Sequence, residues 1–428
     1  MGVTDIGVCH PAVPNKVIDL RRVLSHSHVF GRDSIVLETW RWFGPDDPVT
    51  CAHIRQAGAD GVVTALHDKP PGVVWQPDDI AARKDVIEAA GLEWSVVESI
   101  PVHPAIKLGD DRAQFYIDAW IESMQNLAAA GISVICYNFM PVVDWTRTEL
   151  RHPTRRGGLA LRFDPVEFAI YDLLILRRTG AEADYDAAIT AAAEARFASM
   201  NEADQQRLED TIIAGLPGSE LSHGREDIRA AIAEYDGLGA ADLRANLIAF
   251  LEHVAPAAEA CGARVCLHPD DPPFSIFGLP RVVSTGADYQ AVFDAVPSPA
   301  NGITLCAGSL GSRPDNDVIE IARSFAARIH FTHLRNVTIE DSGAFLEDDH
   351  LEGGVDMVAL ISVLLGEEAR RRAEGRADSV IPMRPDHGHL LLDDIGKQTN
   401  PGYSAIGRLK GLAELRGVAR AVSSLAAM

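Results

Sequence analysis

Four residues of metal-ligating type stand at the ends of four successive apolar runs: His268 in ARVCLHP, Cys306 in GITLCAG, His333 in RIHFTHLRN and Asp386 in VIPMRPDHGH. Two imidazoles, a cysteine sulfur and a carboxylate meeting at one point would hold a divalent cation. They lie far apart in the chain, so the fold has to gather them. Neighbouring parallel strands of a closed barrel would do so, because every strand then ends at the same mouth. His330 shares a run with His333, three residues before it, and side-chain alternation lets only one of the two reach that mouth. The mixed soft and hard donor set suits Zn²⁺, Fe²⁺ or Mn²⁺. The sequence lacks the closely spaced cysteine pairs of a structural zinc site. A site drawn from four separate strands therefore reads as catalytic, with coordination positions left for substrate.

Other polar residues close the remaining runs. Arg41 and Trp42 end the first, His67 and Asp68 the second, Glu98 the third, and Tyr137 with Asn138 the fourth. His387, His389 and the stretch from Asn400 to Tyr403 follow the eighth. Arg41, Trp42, His67 and Asn138 are candidate substrate contacts. Arg335 and Arg384 join them as candidates for holding a carboxylate, whose shape the guanidinium fork matches. CAGSLGS lacks P-loop spacing and no GxGxxG follows a strand, so nucleotide binding is not expected.

Stepping outward to the elements, apolar β-branched runs fall near 35–42, 61–66, 93–100, 132–140, 263–268, 302–306, 329–334 and 380–385. Segments of helical period lie after them at 48–57, 77–90, 112–130, 240–262, 287–296, 314–327, 354–372 and 403–426. Eight β-then-α units predict an α/β protein, a (β/α)8 TIM barrel built from 35–144 and 239–428. Residues 145–238 interrupt it, leaving ~120 residues between the fourth and fifth strands where a βα unit takes ~30. Their Ala-, Glu- and Asp-rich sequence predicts a helical insertion after the fourth strand, a lid or an oligomer contact. Residues 1–34 predict an unpatterned N-terminal extension.

Bulk properties narrow the function. A formal charge of −22 opposes nucleic acid and anionic membrane as partners, since both demand a positive footprint. It leaves room for a small anionic substrate, because one cation and a few arginines reverse the field inside a cleft. Six scattered cysteines suit a reducing compartment, and the first residues carry no secretory pattern. Apolar stretches such as 357–365 are too short to span a bilayer. The expectation is a soluble cytoplasmic protein, assembled as a homo-oligomer, a dimer.

The stretches RWFGPDDPV, GVVTALHD, GLEWSVVESIPVH, YNFMPVVDWTRT, LHPDDPP, THLRN and RPDHGH followed by PGY resemble the metal-dependent D-mannonate dehydratases of hexuronate breakdown. Those are barrel enzymes related in fold to the xylose-isomerase-like group. The resemblance runs from about residue 38 to 417 and includes the insertion after DWTRT; the leader is longer than the family pattern expects. It implies dehydration of D-mannonate to 2-keto-3-deoxy-D-gluconate, with manganese (Mn²⁺), or sometimes iron (Fe²⁺), as the metal. It implies His268, Cys306, His333 and Asp386 as the ligands, and His387 with Tyr403 as the catalytic pair. One of these two would take the C2 proton and the other would protonate the departing 3-hydroxyl. Alternatives left open are a metal-dependent sugar or aldonate isomerase or epimerase on the same barrel, a dehydratase for another aldonate, and a non-catalytic aldonate-binding relative.

Overall fold

The eight apolar runs become the strands β1 (Leu37–Arg41), β2 (Gly61–Thr64), β3 (Glu93–Glu98), β4 (Val134–Tyr137), β7 (Arg264–Leu267), β8 (Asn301–Cys306), β9 (Ile329–His333) and β12 (Pro382–Arg384). All are parallel, and β12 pairs back onto β1 at Leu37↔Pro382 to close the barrel. The structure is a computed structural model, and it describes residues 36–213 and 224–426. The expected extension at 1–34 lies outside the described residues.

Closure buries both faces of every strand, so the runs read as near-continuous apolar segments rather than alternating ones. Inside the barrel a plug of Val63, Val96, Val134, Cys136, Cys266 and Phe331 fills the lumen. The larger core lies between strands and helices and includes Val62, Val97, Ile135, Val265, Leu305 and Leu360. Interior threonines satisfy their hydroxyls on strand carbonyls, as Thr39 does on Met383 O at 2.8 Å. The helices start where local chemistry permits: Pro77, Pro104 and Pro165 occupy first-turn positions, and Thr285 with Asp288 forms a capping box.

The insertion is helical over Pro165–Ala169, Ala187–Phe197, Glu202–Ile213 and Arg225–Ala233. It also carries a hairpin the sequence reading did not anticipate, β5 (Glu149–Pro153) and β6 (Leu159–Phe163). After β9 the chain makes a second hairpin, β10 (Asn336–Ile339) and β11 (Phe345–Asp348). The two join through β6 and β11, at Phe163↔Phe345, into a four-stranded antiparallel sheet beside the barrel. A separate core, with Phe163, Phe168, Ile212, Ile228, Phe277 and Phe345, welds this sheet to the insertion helices. Phe163 and Phe345 stack at 5.5 Å, and burying each ring is worth roughly 1.5–3 kcal/mol.

Candidate active site

Strand register brings the polar ends together. Cys306 pairs across to His333, and His333 to Arg384, so three adjacent strands end at one level. Alternation turns His333 inward above Phe331, whose ring meets it edge-on at 4.7 Å. His330 faces the other way and reaches Pro299 O at 3.1 Å.

Donor atoms of His268, Cys306 and His333 lie within 4.8 Å of one another. His268 Nε2 is 3.1 Å from His333 Nδ1, a spacing that two nitrogens on one ion at ~2.0–2.1 Å also adopt. The other nitrogen of His268, Nδ1, donates to Pro269 O at 2.6 Å, which leaves Nε2 as the acceptor. Burial pulls the His268 imidazole below its ordinary value, favouring the neutral form a cation needs. The sulfur of Cys306 accepts from Ser309 N at 3.4 Å. Asp386 stands beside this group: its Oδ2 is 3.9 Å from Cys306 Sγ and 4.0 Å from His333 Nδ1. It leaves β12 with φ 63°, a left-handed backbone that aspartate tolerates better than most residues. Nε2 of His333 faces Glu98 Oε2 at 3.4 Å, which leaves its Nδ1 with His268 Nε2, the Cys306 sulfur and an Asp386 oxygen as a donor set that fits a divalent ion.

Two arrays of buried charge frame this group. In the first, Glu98 receives Arg384 at 2.8 and 3.1 Å and Arg41 at 2.9 Å, and Arg384 reaches Asp386 at 2.5 Å. Burial pushes the Glu98 and Asp386 carboxyls up, but their cationic neighbours together outweigh it, Arg384 first, then Arg41 at Glu98 and His387 at Asp386, and hold both well below the carboxylate range. The second is a closed ring. Arg147 bridges Asp271 at 2.8 Å and Glu347 at 2.9 Å, and Arg335 bridges the same two carboxylates at 2.8 and 3.0 Å. Burial raises Glu347, but His387 and Arg335 bring it down to about 2. Each array balances two guanidinium groups against two carboxylates. An acidic protein thus keeps this mouth close to neutral, and a bound cation would make it attractive to an anion.

His387 joins the second array. Its Nδ1 is 2.8 Å from both oxygens of Glu347, its Nε2 is 3.8 Å from Asp386 Oδ1, and its ring meets Tyr403 edge-on at 5.0 Å. Tyr403 is buried between Phe43, at 4.8 Å, and the guanidinium groups of Arg408 and Arg384. Burial pushes its phenol up to about 12 against the opposing effect of Arg384. Gly402 (φ 79°) is a position that only glycine fills well, since a Cβ there would sit 2.9 Å from the His387 ring. Gly308 does the same for Arg335: its Cβ would fall 2.1 Å from Nε.

A cavity opens here, lined by Arg41, His67, Glu98, Asn138, His268, Arg335, Arg384, Asp386, His387 and Tyr403. Trp145, Ile212 and Ile213 of the insertion also line it. Both ring nitrogens of His67 are buried without a partner among the described residues, and burial, then Arg41 and Arg83, hold it well below its ordinary value. The forks of Arg335 and Arg384 are already engaged by protein carboxylates. Trp42 is a correction to the sequence expectation. It packs in the helix-side core beneath Arg83, at 5.5 Å, because Arg41 takes the inward position and the next residue must point out. Glu347, Arg147 and Asp271 went unrecognised as site residues. Asp271 lies inside LHPDDPP and Arg147 inside DWTRT, which were signals; Glu347 had none.

Residues 36–428 match the family model described as D-mannonate dehydratase (UxuA). The chain is 58% identical over 385 residues to mannonate dehydratase 2 of Agrobacterium fabrum, covering 90% of this chain and 97% of that one. It is 53% identical over 389 residues to the mannonate dehydratase of Saccharophagus degradans, covering 91% and 98%. The crystal structure of mannonate dehydratase from Streptococcus suis serotype 2 superposes with a TM-score of 0.72 at 33% identity, covering 92% of this chain and 95% of that one.

Proposed function

The chain belongs to the D-mannonate dehydratase family, and from that premise we propose that it is a hydro-lyase converting D-mannonate to 2-keto-3-deoxy-D-gluconate and water. The observation that carries the reading is a His268–Cys306–His333 donor group that reaches, through His268, the same cavity that Asp386, His387 and Tyr403 line. His268, Cys306, His333 and Asp386 would hold the metal, Mn²⁺ with Fe²⁺ as the alternative. When bound, it supplies Lewis acidity against the negative charge that builds on the substrate as the C2 proton leaves.

The chain's own groups do the rest. His387 is the proton acceptor, an imidazole whose Nδ1 is engaged by Glu347 and whose Nε2 lies toward Asp386 and the cavity. Tyr403 is the donor, because a phenol raised to about 12 keeps its proton at working pH. His387 takes the proton from C2, the C2–H electron pair becomes the C2=C3 bond, and the 3-hydroxyl leaves as water with the proton of Tyr403. The enol then loses its 2-hydroxyl proton and gains one at C3, giving the ketone, so one water is lost in all. Arg41, Arg335 and Arg384 offset the site's own carboxylates, so that a bound cation would draw the substrate carboxylate, and His67 and Asn138 meet its hydroxyls. Trp145 and Ile212 of the insertion border the cavity, which supports the lid reading. No helix among the described residues is long and apolar enough to cross a membrane. The free cysteines among the described residues support a cytoplasmic setting, and a homodimer is the assembly expected there.

The test incubates chelator-stripped enzyme with D-mannonate, with and without added Mn²⁺, and assays the product with semicarbazide. Metal-dependent appearance of an α-keto-3-deoxy acid is expected. A product that retains the elements of water, as an isomerase or epimerase would give, overturns the assignment.

A further inference from the structure

We propose that Glu347 is a positioning residue for the proton acceptor, fixing the tautomer and ring plane of His387; the inference rests on the role just given to His387. Glu347 sits on β11, outside the barrel, yet is only 3% exposed. Both of its carboxylate oxygens lie 2.8 Å from His387 Nδ1. A carboxylate only accepts, so Nδ1 carries the hydrogen and Nε2 keeps the lone pair. Arg335 Nη1 lies 3.1 Å from the same Nδ1 and could donate to a lone pair there, but that lone pair would then face two carboxylate oxygens at 2.8 Å, so the shorter contacts place the hydrogen on Nδ1 and leave Arg335 its own bond to Glu347 Oε1 at 3.0 Å. Nε2 is thereby left on the side of Asp386 and the cavity, where a substrate proton would have to be accepted.

Glu347 is itself held on every side. Arg147 and Arg335 grip its carboxylate, and its backbone carbonyl accepts from His389 Nε2 at 3.0 Å. Its strand is pinned to the insertion hairpin through Phe345↔Phe163. The sheet beside the barrel thus delivers one carboxylate to one ring nitrogen. Without that acceptor the imidazole can carry its hydrogen on Nε2 instead, and a ring in that form cannot take a proton there. A group that orients a catalytic histidine is worth ~10⁴ in kcat in the serine-protease triad, and general base catalysis ~10²–10⁴.

The test uses full-length, metal-loaded Glu347→Gln, Glu347→Asp and His387→Asn, and the double variant of Glu347→Gln with His387→Asn. The measurements are kcat and KM for D-mannonate, bound metal and melting temperature. For Glu347→Gln, kcat should fall by about 10²–10⁴ while KM stays within about threefold and metal content is unchanged. In the His387→Asn background the same change should move the residual rate by less than about threefold, because the two residues act as one unit. Glu347→Asp keeps the charge that Arg147 and Arg335 require but withdraws it from Nδ1. It should melt normally and still lose kcat, which guards against a Gln variant that fails to fold. Near-normal kcat in either Glu347 variant, or an equal loss with and without His387, overturns the inference while leaving the dehydratase reading standing. Normal turnover by His387→Asn removes the base assignment and this inference together.

Discussion

Replacing Arg147 by Met takes one of two cations out of a closed ring of four buried charges. Arg147 is 0% exposed and holds Asp271 at 2.8 and 3.2 Å and Glu347 at 2.9 Å. The substitution leaves Arg335 as the one remaining arginine of the ring against two carboxylates that are at most 3% exposed. Removing one partner from a buried ionic group typically costs about 3–5 kcal/mol. Unfolding entropy of ~2.1 cal/mol/K per residue gives a slope near 0.9 kcal/mol per degree for a chain of this size, so the melting temperature should drop by about 3–6 °C at pH 7. The sign of the pH dependence follows. Glu347 is held at about 2 when folded, below its ordinary 4.5, so its contribution is present above 4.5 and fades as pH falls toward 2. Without Arg147 that depression shrinks, so the gap between variant and parent should stay constant from about pH 7 to 5 and narrow as the pH is lowered from about 5 to 3. Adding Asp271→Asn removes the surplus negative charge and should recover part of the loss. Calorimetry on chelator-treated protein reads this without interference from metal. A shift under about 1 °C, or a double variant less stable than Arg147→Met alone, would refute the charge-ring account.

Three further outcomes follow from other residues. His268→Ala should lose bound metal together with activity, measured by elemental analysis after desalting, whereas a variant with full metal content would remove His268 from the ligand set. Gly308→Ala should displace Arg335, which a Cβ would approach to 2.1 Å, and lower kcat by at least tenfold on the general sensitivity of site geometry to ~1 Å shifts; wild-type kcat would show that the arginine has room to move. Burial pushes the Glu368 carboxyl up to about 7, so the folded state binds more protons than the unfolded one between pH 4.5 and 7 and stability falls as pH rises through that window. Glu368→Gln keeps an acceptor for Ile381 N and should stabilise the protein by up to about 3 kcal/mol at pH 8, fading by pH 5; equal melting shifts at both pH values would contradict the linkage.

The barrel was legible because each strand announces itself locally, through β-branched apolar runs separated by helical periods. Strand ends were legible for the same reason, and with them His268, Cys306, His333 and Asp386, since barrel chemistry gathers at one mouth. The side sheet was not. Each of its strands is four or five residues long and lacks clean alternation, and β6 finds its partner β11 some 180 residues later, a pairing that no local pattern encodes. Glu347 was invisible for that reason: it enters the site on a strand that was itself unforeseen. Trp42 failed differently. Arg41 and Trp42 are consecutive strand-end residues, so alternation allows only one inside, and the rule that separated His330 from His333 also separates this pair. The ring of Arg147, Asp271, Arg335 and Glu347 draws on three excursions from the barrel, and only the fold shows that they meet.

The most direct measurement is anomalous diffraction from a Mn²⁺-loaded crystal, collected on both sides of the manganese absorption edge. One peak within about 2.0–2.4 Å of His268 Nε2, Cys306 Sγ, His333 Nδ1 and an Asp386 carboxylate oxygen, opening onto the cavity of His387 and Tyr403, is the result expected. A peak at any other place, or none beside these four residues in an enzyme that turns over D-mannonate, would contradict the account.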